Sequence, residues 1–387
     1  MASIRSIAVF LSSYVALVSA QFNINGKTNN VVYYGQGPDQ LGLLHYCQQP
    51  EIDAIALSFV YLFPAQANGY PGTNYGNQCS GAVYPGPGYN GLLNSSADAL
   101  QASCPQLAAD IVTCQRTYQK KVFLALGGQE GDYDISGATD GVRFANMLFG
   151  MFGPRNRIWV KAGLPRPLDV PGDTSGSPVD GYTLDIEHPA DDGGAGYIAF
   201  AQQLRRLFPA SPQVGLMLTA APQCVVPDAS MGQLIATVPF DALFIQFYNT
   251  PACSARSWVN ANPTYTPGTR PASDGGFTFV SWAAAAAAGA SAAAKLYIGL
   301  PGSVDAVDDP TYYLSENETQ NLVDAYFCER NFGGVAIYDA SYADENVDAA
   351  GLTYAQFTKK VLTDALANPV VRRCSGATPG ETVPGSS

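Results

Sequence analysis

Asp185 and Glu187 are the residues whose types and spacing point most directly to chemistry. They lie in the stretch VDGYTLDIEHPAD, Val179 to Asp191, with Asp180 upstream, in a chain of which only 13% is charged. If Tyr182 to Glu187 is a strand, alternation puts Thr183, Asp185 and Glu187 on one face and Tyr182, Leu184 and Ile186 on the other. Two carboxyls on one buried face repel when both ionise, so one is held protonated at neutral pH and can serve as a general acid. The segment contains no Lys or Arg to act as a structural counter-ion. Pro189 cannot donate to a ladder, so the strand ends at His188.

A pair of carboxyls needs a scaffold that aims them at one place. Short β-branched or aromatic runs recur along the chain: VVYY from Val31, AIALSFVYLF from Ala54, KVFLAL from Lys121, GYTLDIE from Gly181, VGLMLT from Val214, ALFIQFY from Ala242, KLYIGL from Lys295 and GVAIYD from Gly334. The segments between them are long enough for a loop and a helix. Eight buried strands alternating with helical connections predict an α/β fold, a single-domain (β/α)8 TIM barrel, and no GxGxxG phosphate loop follows the first strand. In such a barrel Glu187 falls at the C-terminal rim, where barrel active sites lie. ALGGQEG after the third run is expected to be a loop whose glycines let backbone approach the site. The long segment Pro64 to Cys104 is expected to be a loop tied by cysteines or carrying function. The alanine run after Trp282 predicts a packed helix.

With 20 basic and 32 acidic residues the net charge is −12, which argues against nucleic acid or an anionic membrane as partner. A neutral polymer fits better, and 22 Tyr offer rings that stack on the apolar faces of sugars. Residues 1–20 carry Arg5, an apolar run and Val18-Ser19-Ala20, the pattern of a secretory signal peptide, so the mature chain is expected to begin at Gln21 and to be extracellular or in the cell wall. No later stretch predicts a membrane span. Residues 21–374 are expected to form the catalytic domain and 375–387 a flexible tail. The eight cysteines, Cys47, Cys79, Cys104, Cys114, Cys224, Cys253, Cys328 and Cys374, predict four disulfides in a secreted chain. Without a CxxC, and with only His45 and His188, neither a metal site nor a cofactor is predicted. Asn94 and Asn317 head glycosylation sequons. His45 and His188 are expected to pack or cap locally.

DGYTLDIE resembles the DxxDxDxE signature of glycoside hydrolase family 18, and the chain is similar to its class III chitinases of fungi and plants. Further matching strings are VVYYGQG, LLHYCQQPEIDAIALSF, KKVFLALGG, LTAAPQC and FDALFIQFYNTPAC, so the resemblance spans nearly the whole mature chain. It implies a monomeric endo-chitinase acting on chitin or its oligosaccharides, with disulfides Cys47 to Cys114, Cys79 to Cys104 and Cys224 to Cys253, which leaves Cys328 with Cys374. It also implies substrate-assisted chemistry rather than the two-carboxylate scheme of most glycosidases. Glu187 would protonate the glycosidic oxygen. The substrate's acetamido oxygen would attack the anomeric carbon to give an oxazolinium, Asp185 would orient the acetamido N–H, and Tyr248 would hydrogen-bond the acetamido oxygen. Tyr33, Gln36, Phe59, Thr183, Gln246, Asn249 and Tyr338 fall at matching substrate-binding positions.

Three positions depart from that pattern. Thr183 stands where the signature has its middle aspartate, Tyr338 where a tryptophan usually floors the central sugar site, and Ala125 where serine is common. Two function classes follow: a retaining chitinase, or a chitin-oligosaccharide-binding protein or inhibitor on the same barrel. Glu187 favours the enzyme, since a binder has no use for a proton donor there. An endoglycosidase acting on N-glycans uses the same signature.

Overall fold

The computed structural model describes residues 21–87, 91 and 96–367. The expected signal peptide, the tail, Cys374 and Asn94 lie outside the described residues. Eight parallel strands close into a barrel: β1 (Asn29–Tyr34), β2 (Ala54–Leu62), β4 (Lys121–Gly128), β5 (Gly181–Ile186), β6 (Met217–Ala220), β7 (Ala242–Gln246), β8 (Lys295–Pro301) and β9 (Phe332–Tyr338). Each pairs with the next, and β9 returns to β1, which pairs in turn with β2. A two-residue strand β3 (Gly72–Thr73) adds antiparallel to β2. The helices, in chain order, are α1 (Leu43–Cys47), α2 (Pro105–Arg116), α3 (Gly137–Phe152), α4 (Arg157–Lys161), α5 (Ala195–Leu207), α6 (Gly232–Thr237), α7 (Ala255–Ala261), α8 (Phe279–Ala288), α9 (Glu316–Tyr326), α10 (Ala340–Glu345) and α11 (Tyr354–Ala367). All eight predicted strands are present.

Alternation sorts the core into two shells. Val32 and Tyr34 of β1, Leu124 and Leu126 of β4, Tyr182, Leu184 and Ile186 of β5, and Leu243 and Ile245 of β7 pack outward with Phe144, Phe200, Trp282 and Leu322 of the helices. Val31 and Tyr33, Ala54 and Ala56, Phe123 and Ala125, and Phe244 fill the barrel interior with Tyr297 and Ala336. Phe22 joins this inner set edge-on to Phe123, with ring centroids 5.9 Å apart, and plugs the N-terminal end of the barrel.

Two elements start or stop where glycine intervenes. Val214 was expected to begin a strand, but it is 89% exposed and Gly215 follows at φ +75°, so β6 starts only at Met217. The alanine run was expected to be one helix, yet α8 ends at Ala288. Gly289 caps it in an extended conformation, and a Cβ there would meet the Ala236 backbone at 2.8 Å. The glycines of ALGGQEG were expected in a loop, but Gly127 and Gly128 complete β4 in register with Asp185 and Ile186. Within the segment 64–104, β3 extends the sheet and Cys79 is joined to Cys104.

Candidate active site

The C-terminal ends of the strands surround a cavity of about 360 Å3. Asp185 of β5 and Glu187 just beyond it line the cavity, with Gln246 of β7 beside them and Tyr248, Asn249 and Thr250 following it in the chain. Gln36, Phe59, Gln129, Gln223, Tyr338 and Tyr342 also line it, as do Asp305, Ala306, Val307 and Asp308 of the loop after β8. Asp185, Glu187, Asp305 and Asp308 line this space, and among the described residues no Lys, Arg or His does. An anionic polymer is therefore disfavoured and a neutral or cationic one admitted.

Gln246 joins the two carboxyls. Its Nε2 donates to Asp185 Oδ1 at 2.8 Å and to the Ala221 carbonyl at 3.1 Å, and lies 3.4 Å from Glu187 Oε1. Burial pushes the Asp185 carboxyl well above the usual range, the Glu187 charge adds to the rise, and the Gln246 amide opposes it. Burial likewise raises Glu187; Gln246 and His188 pull it down, while Asp228 and Asp308 push it up. Each carboxyl makes ionisation of its neighbour costlier, which is the condition for one proton to be retained between them.

The aromatic residues supply shape and neutral hydroxyls. Tyr248 and Tyr338 lie nearly parallel, with centroids 6.5 Å apart. Tyr33 lies beneath them, 6.0 Å from Tyr338 and 6.4 Å from Phe59. Burial raises the Tyr248 phenol, and the Asp185 and Glu187 charges raise it further, so its hydroxyl stays a hydrogen-bond donor. Asn249 adopts φ +56°, a left-handed conformation that asparagine tolerates, and its Oδ1 accepts from the Asp308 N–H at 3.1 Å, fixing the loop after β8 to the end of β7. Gln36 Nε2 donates to the Ser58 and Asn74 carbonyls at 3.1 and 3.2 Å.

Two residues expected to bind substrate do not line the cavity. Thr183 is wholly buried one step below Asp185, its hydroxyl 2.7 Å from that of Thr219, its register partner on β6. Tyr33 is buried under the Phe59 and Tyr338 rings. Both follow from the strand period: these side chains point inward, but a layer beneath the rim. Asp180, at the opposite end of β5, serves structure. It accepts from Lys121 Nζ at 2.9 Å, Gln115 Nε2 at 2.8 Å and the Val122 N–H at 3.0 Å, so its counter-ion comes from β4 rather than its own segment.

Several cavity residues carried no signal strong enough to single out. Asp305 and Asp308 sit in an aperiodic loop. Gln223 lies within LTAAPQC, and its N–H is held at 2.8 Å by Asp228, which also accepts from Ser230 and Met231. Asp339 does not line the cavity but is fully buried behind it; it accepts from the Gly37 N–H at 2.7 Å and from the Ser341 and Tyr342 N–H groups, tying the Gln36 loop to the start of α10.

His45 Nε2 lies 2.9 Å from Asp344 Oδ2 of α10, and His188 Nε2 lies 3.1 Å from the Gln129 carbonyl beyond β4, so each reaches a partner distant in sequence rather than capping locally. Cys47 is joined to Cys114 and Cys224 to Cys253, besides Cys79 to Cys104, and Cys328 is also disulfide-bonded. Asn317 lies in the first turn of α9. Among the described residues no cluster of three metal-ligating side chains occurs, and no helix is long and apolar enough to cross a membrane.

Comparison with known proteins gives concordant matches. The family model described as Glycosyl hydrolases family 18 matches residues 29–344. Endochitinase A of Aspergillus niger is 38% identical over 370 residues, which cover 95% of this chain and 27% of that protein. The chain spans 27% to 47% of the length of the fungal relatives named Endochitinase A, Endochitinase A1 and Probable endochitinase. Among solved structures, a chitinase from Ipomoea carnea superposes with a TM-score of 0.61 at 23% identity, covering 86% of this chain and 99% of that one. A xylanase and alpha-amylase inhibitor protein from Scadoxus multiflorus gives the same score and identity, covering 87% and 98%. These two share the fold.

Proposed function

The chain belongs to glycosyl hydrolases family 18, and on that premise we propose that it is a secreted chitinase cleaving β-1,4-linked N-acetylglucosamine polymers with retention at the anomeric carbon. The observation that carries this reading is the Gln246 bridge between Asp185 and Glu187 in a cavity where burial raises both carboxyls. Residues 21–374 act as one catalytic domain, as a monomer, outside the cell; the three disulfides with both partners described suit an oxidising compartment.

In this mechanism Glu187, protonated at rest, gives its proton to the glycosidic oxygen as the bond to the anomeric carbon breaks. The acetamido oxygen of the same sugar closes on that carbon to form an oxazolinium. Asp185 accepts a hydrogen bond from the acetamido N–H and balances the developing positive charge. The Tyr248 hydroxyl donates to the acetamido oxygen and aims it, while Gln246, Asn249 and Gln36 supply polar contacts and Tyr338 and Phe59 apolar ones. Glu187, now a carboxylate, takes a proton from the water that opens the ring and returns to its starting state. The names of the fungal relatives support chitin as the polymer.

A second reading, an oligosaccharide binder or inhibitor, is favoured by one feature: Thr183 pairs with Thr219 and brings no carboxyl beneath Asp185. Product release from chitin oligomers by the wild type and by Glu187→Gln separates the two. Turnover lost in Glu187→Gln, with the β-anomer formed first by the wild type, supports the enzyme. Tight binding without turnover in both sinks it.

A further inference from the structure

The β4–β5 ladder ends at the pair Gly128 and Ile186, one residue short of Glu187. At that end of β4 both Gly127 and Gly128 adopt positive φ, and the Glu187 N–H bonds to a side chain instead of a β4 carbonyl. The Glu187 N–H donates to Tyr133 Oη at 3.0 Å, and Tyr133 Oη–H donates onward to the Gly128 carbonyl at 2.7 Å. Tyr133 is 4% exposed, and its ring packs on Phe63 at 4.9 Å between centroids.

We propose that Tyr133 is a positioning residue for Glu187: its hydroxyl prolongs the ladder by one hydrogen bond and fixes the backbone from which the acid projects. The proposal rests on the reading of Glu187 as proton donor. The same ring lies 5.2 Å from the His188 ring, and His188 Nε2 is 3.1 Å from the Gln129 carbonyl, so residues 187 and 188 are both tied to the end of β4. Gly128 in turn abuts Phe59, where a Cβ would meet the ring at 3.3 Å. The hydroxyl therefore couples the acid to the wall against which a sugar would rest. Misplacement of a reacting group by about 1 Å can cost roughly a hundredfold in rate, which makes a single backbone anchor consequential.

Tyr133→Phe keeps the buried ring and removes only the hydroxyl. The groups facing Glu187 are otherwise unchanged: Asp185 and His188 on its own segment, Asp228 after β6, Asp308 after β8, and the phenols of Tyr33, Tyr248 and Tyr338. Two readouts apply. On chitin oligomers kcat should fall about tenfold or more, with KM within about twofold. The Glu187 carboxyl, followed by carbon-13 NMR and assigned by its loss in Glu187→Gln, should titrate lower by about half a pH unit or more, because the freed N–H and entering water favour the carboxylate.

An unmoved titration overturns the proposal, whatever the rates do. If the wild type shows no turnover, the chitinase reading fails, and the titration alone still decides on Tyr133. Should the Phe variant not fold, amide exchange in the wild type decides: the Glu187 N–H should exchange at least about a thousandfold slower than an exposed amide, and exchange at the exposed rate overturns the anchor.

Discussion

The hydroxyls of Thr183 and Thr219 lie 2.7 Å apart in the sealed interior of the barrel, one step below Asp185 on the same face of β5. A neutral pair therefore occupies the layer beneath the site, and Asp185 has no carboxyl under it with which to share a proton.

Thr183→Asp should restore such a partner. One of two close carboxyls then stays protonated, so either turnover rises or the pH optimum moves by about one unit. The same change should cost stability of about 1–3 kcal/mol, read by denaturant unfolding, because Thr219 alone cannot satisfy a buried carboxyl. An unchanged pH–rate profile would refute the first expectation.

Gln246→Leu removes the one side-chain donor bound to Asp185 among the described contacts. Because that donor pulls both carboxyls down, its loss should raise both and lower kcat by about a hundredfold, the usual scale for a lost preorganised donor. The alkaline limb of the pH–rate profile should then shift to higher pH.

Asp185→Asn should stabilise the fold at neutral pH. The folded-state value of Asp185 lies above its unfolded one. Stability linked to this group is thus full below the unfolded value and is lost as pH rises through the folded one. Thermal unfolding should show the Asn variant melting a few degrees above wild type at pH 7, with the gap closing near pH 4. A gap that widens on acidification would contradict the sign.

Tyr248→Phe keeps the ring beside Tyr338 and removes the hydroxyl that, in the proposed mechanism, donates to the acetamido oxygen. A loss of about ten- to a hundredfold in kcat is expected, with KM little changed, since the hydrogen bond strengthens as that oxygen becomes the nucleophile. Steady-state kinetics on a defined chitin oligomer measure it.

Asp339→Ala should both destabilise the protein and loosen the cavity. It deletes the N-cap of α10 and orphans the Gly37 N–H, costing about 2–4 kcal/mol. Gln36 and Tyr342 flank these contacts, so oligosaccharide affinity should weaken in parallel, as calorimetry would show.

Much of the fold was legible in the sequence. The inward set Thr183 and Asp185 and the outward set Tyr182, Leu184 and Ile186 follow from a period of two, which is a property of a single strand. Eight such strands with helical connections leave little choice but a closed barrel. At Val214 and the glycines of β4 positive φ at glycine decided the boundary, and at Ala288 the close approach of Gly289 to the Ala236 backbone did; composition alone specifies neither.

The candidate site divides in the same way. Sequence determined which residues can donate protons, because a carboxyl's chemistry and its parity on β5 are local facts. Tertiary structure decided which partners they meet. Gln246, Thr219 and Tyr133 reach Asp185, Thr183 and Glu187 from β7, β6 and the loop after β4 only once the barrel closes. Those distances depend on strand register and on how loops fold over the rim, and both are set by long-range packing rather than by neighbours in the chain.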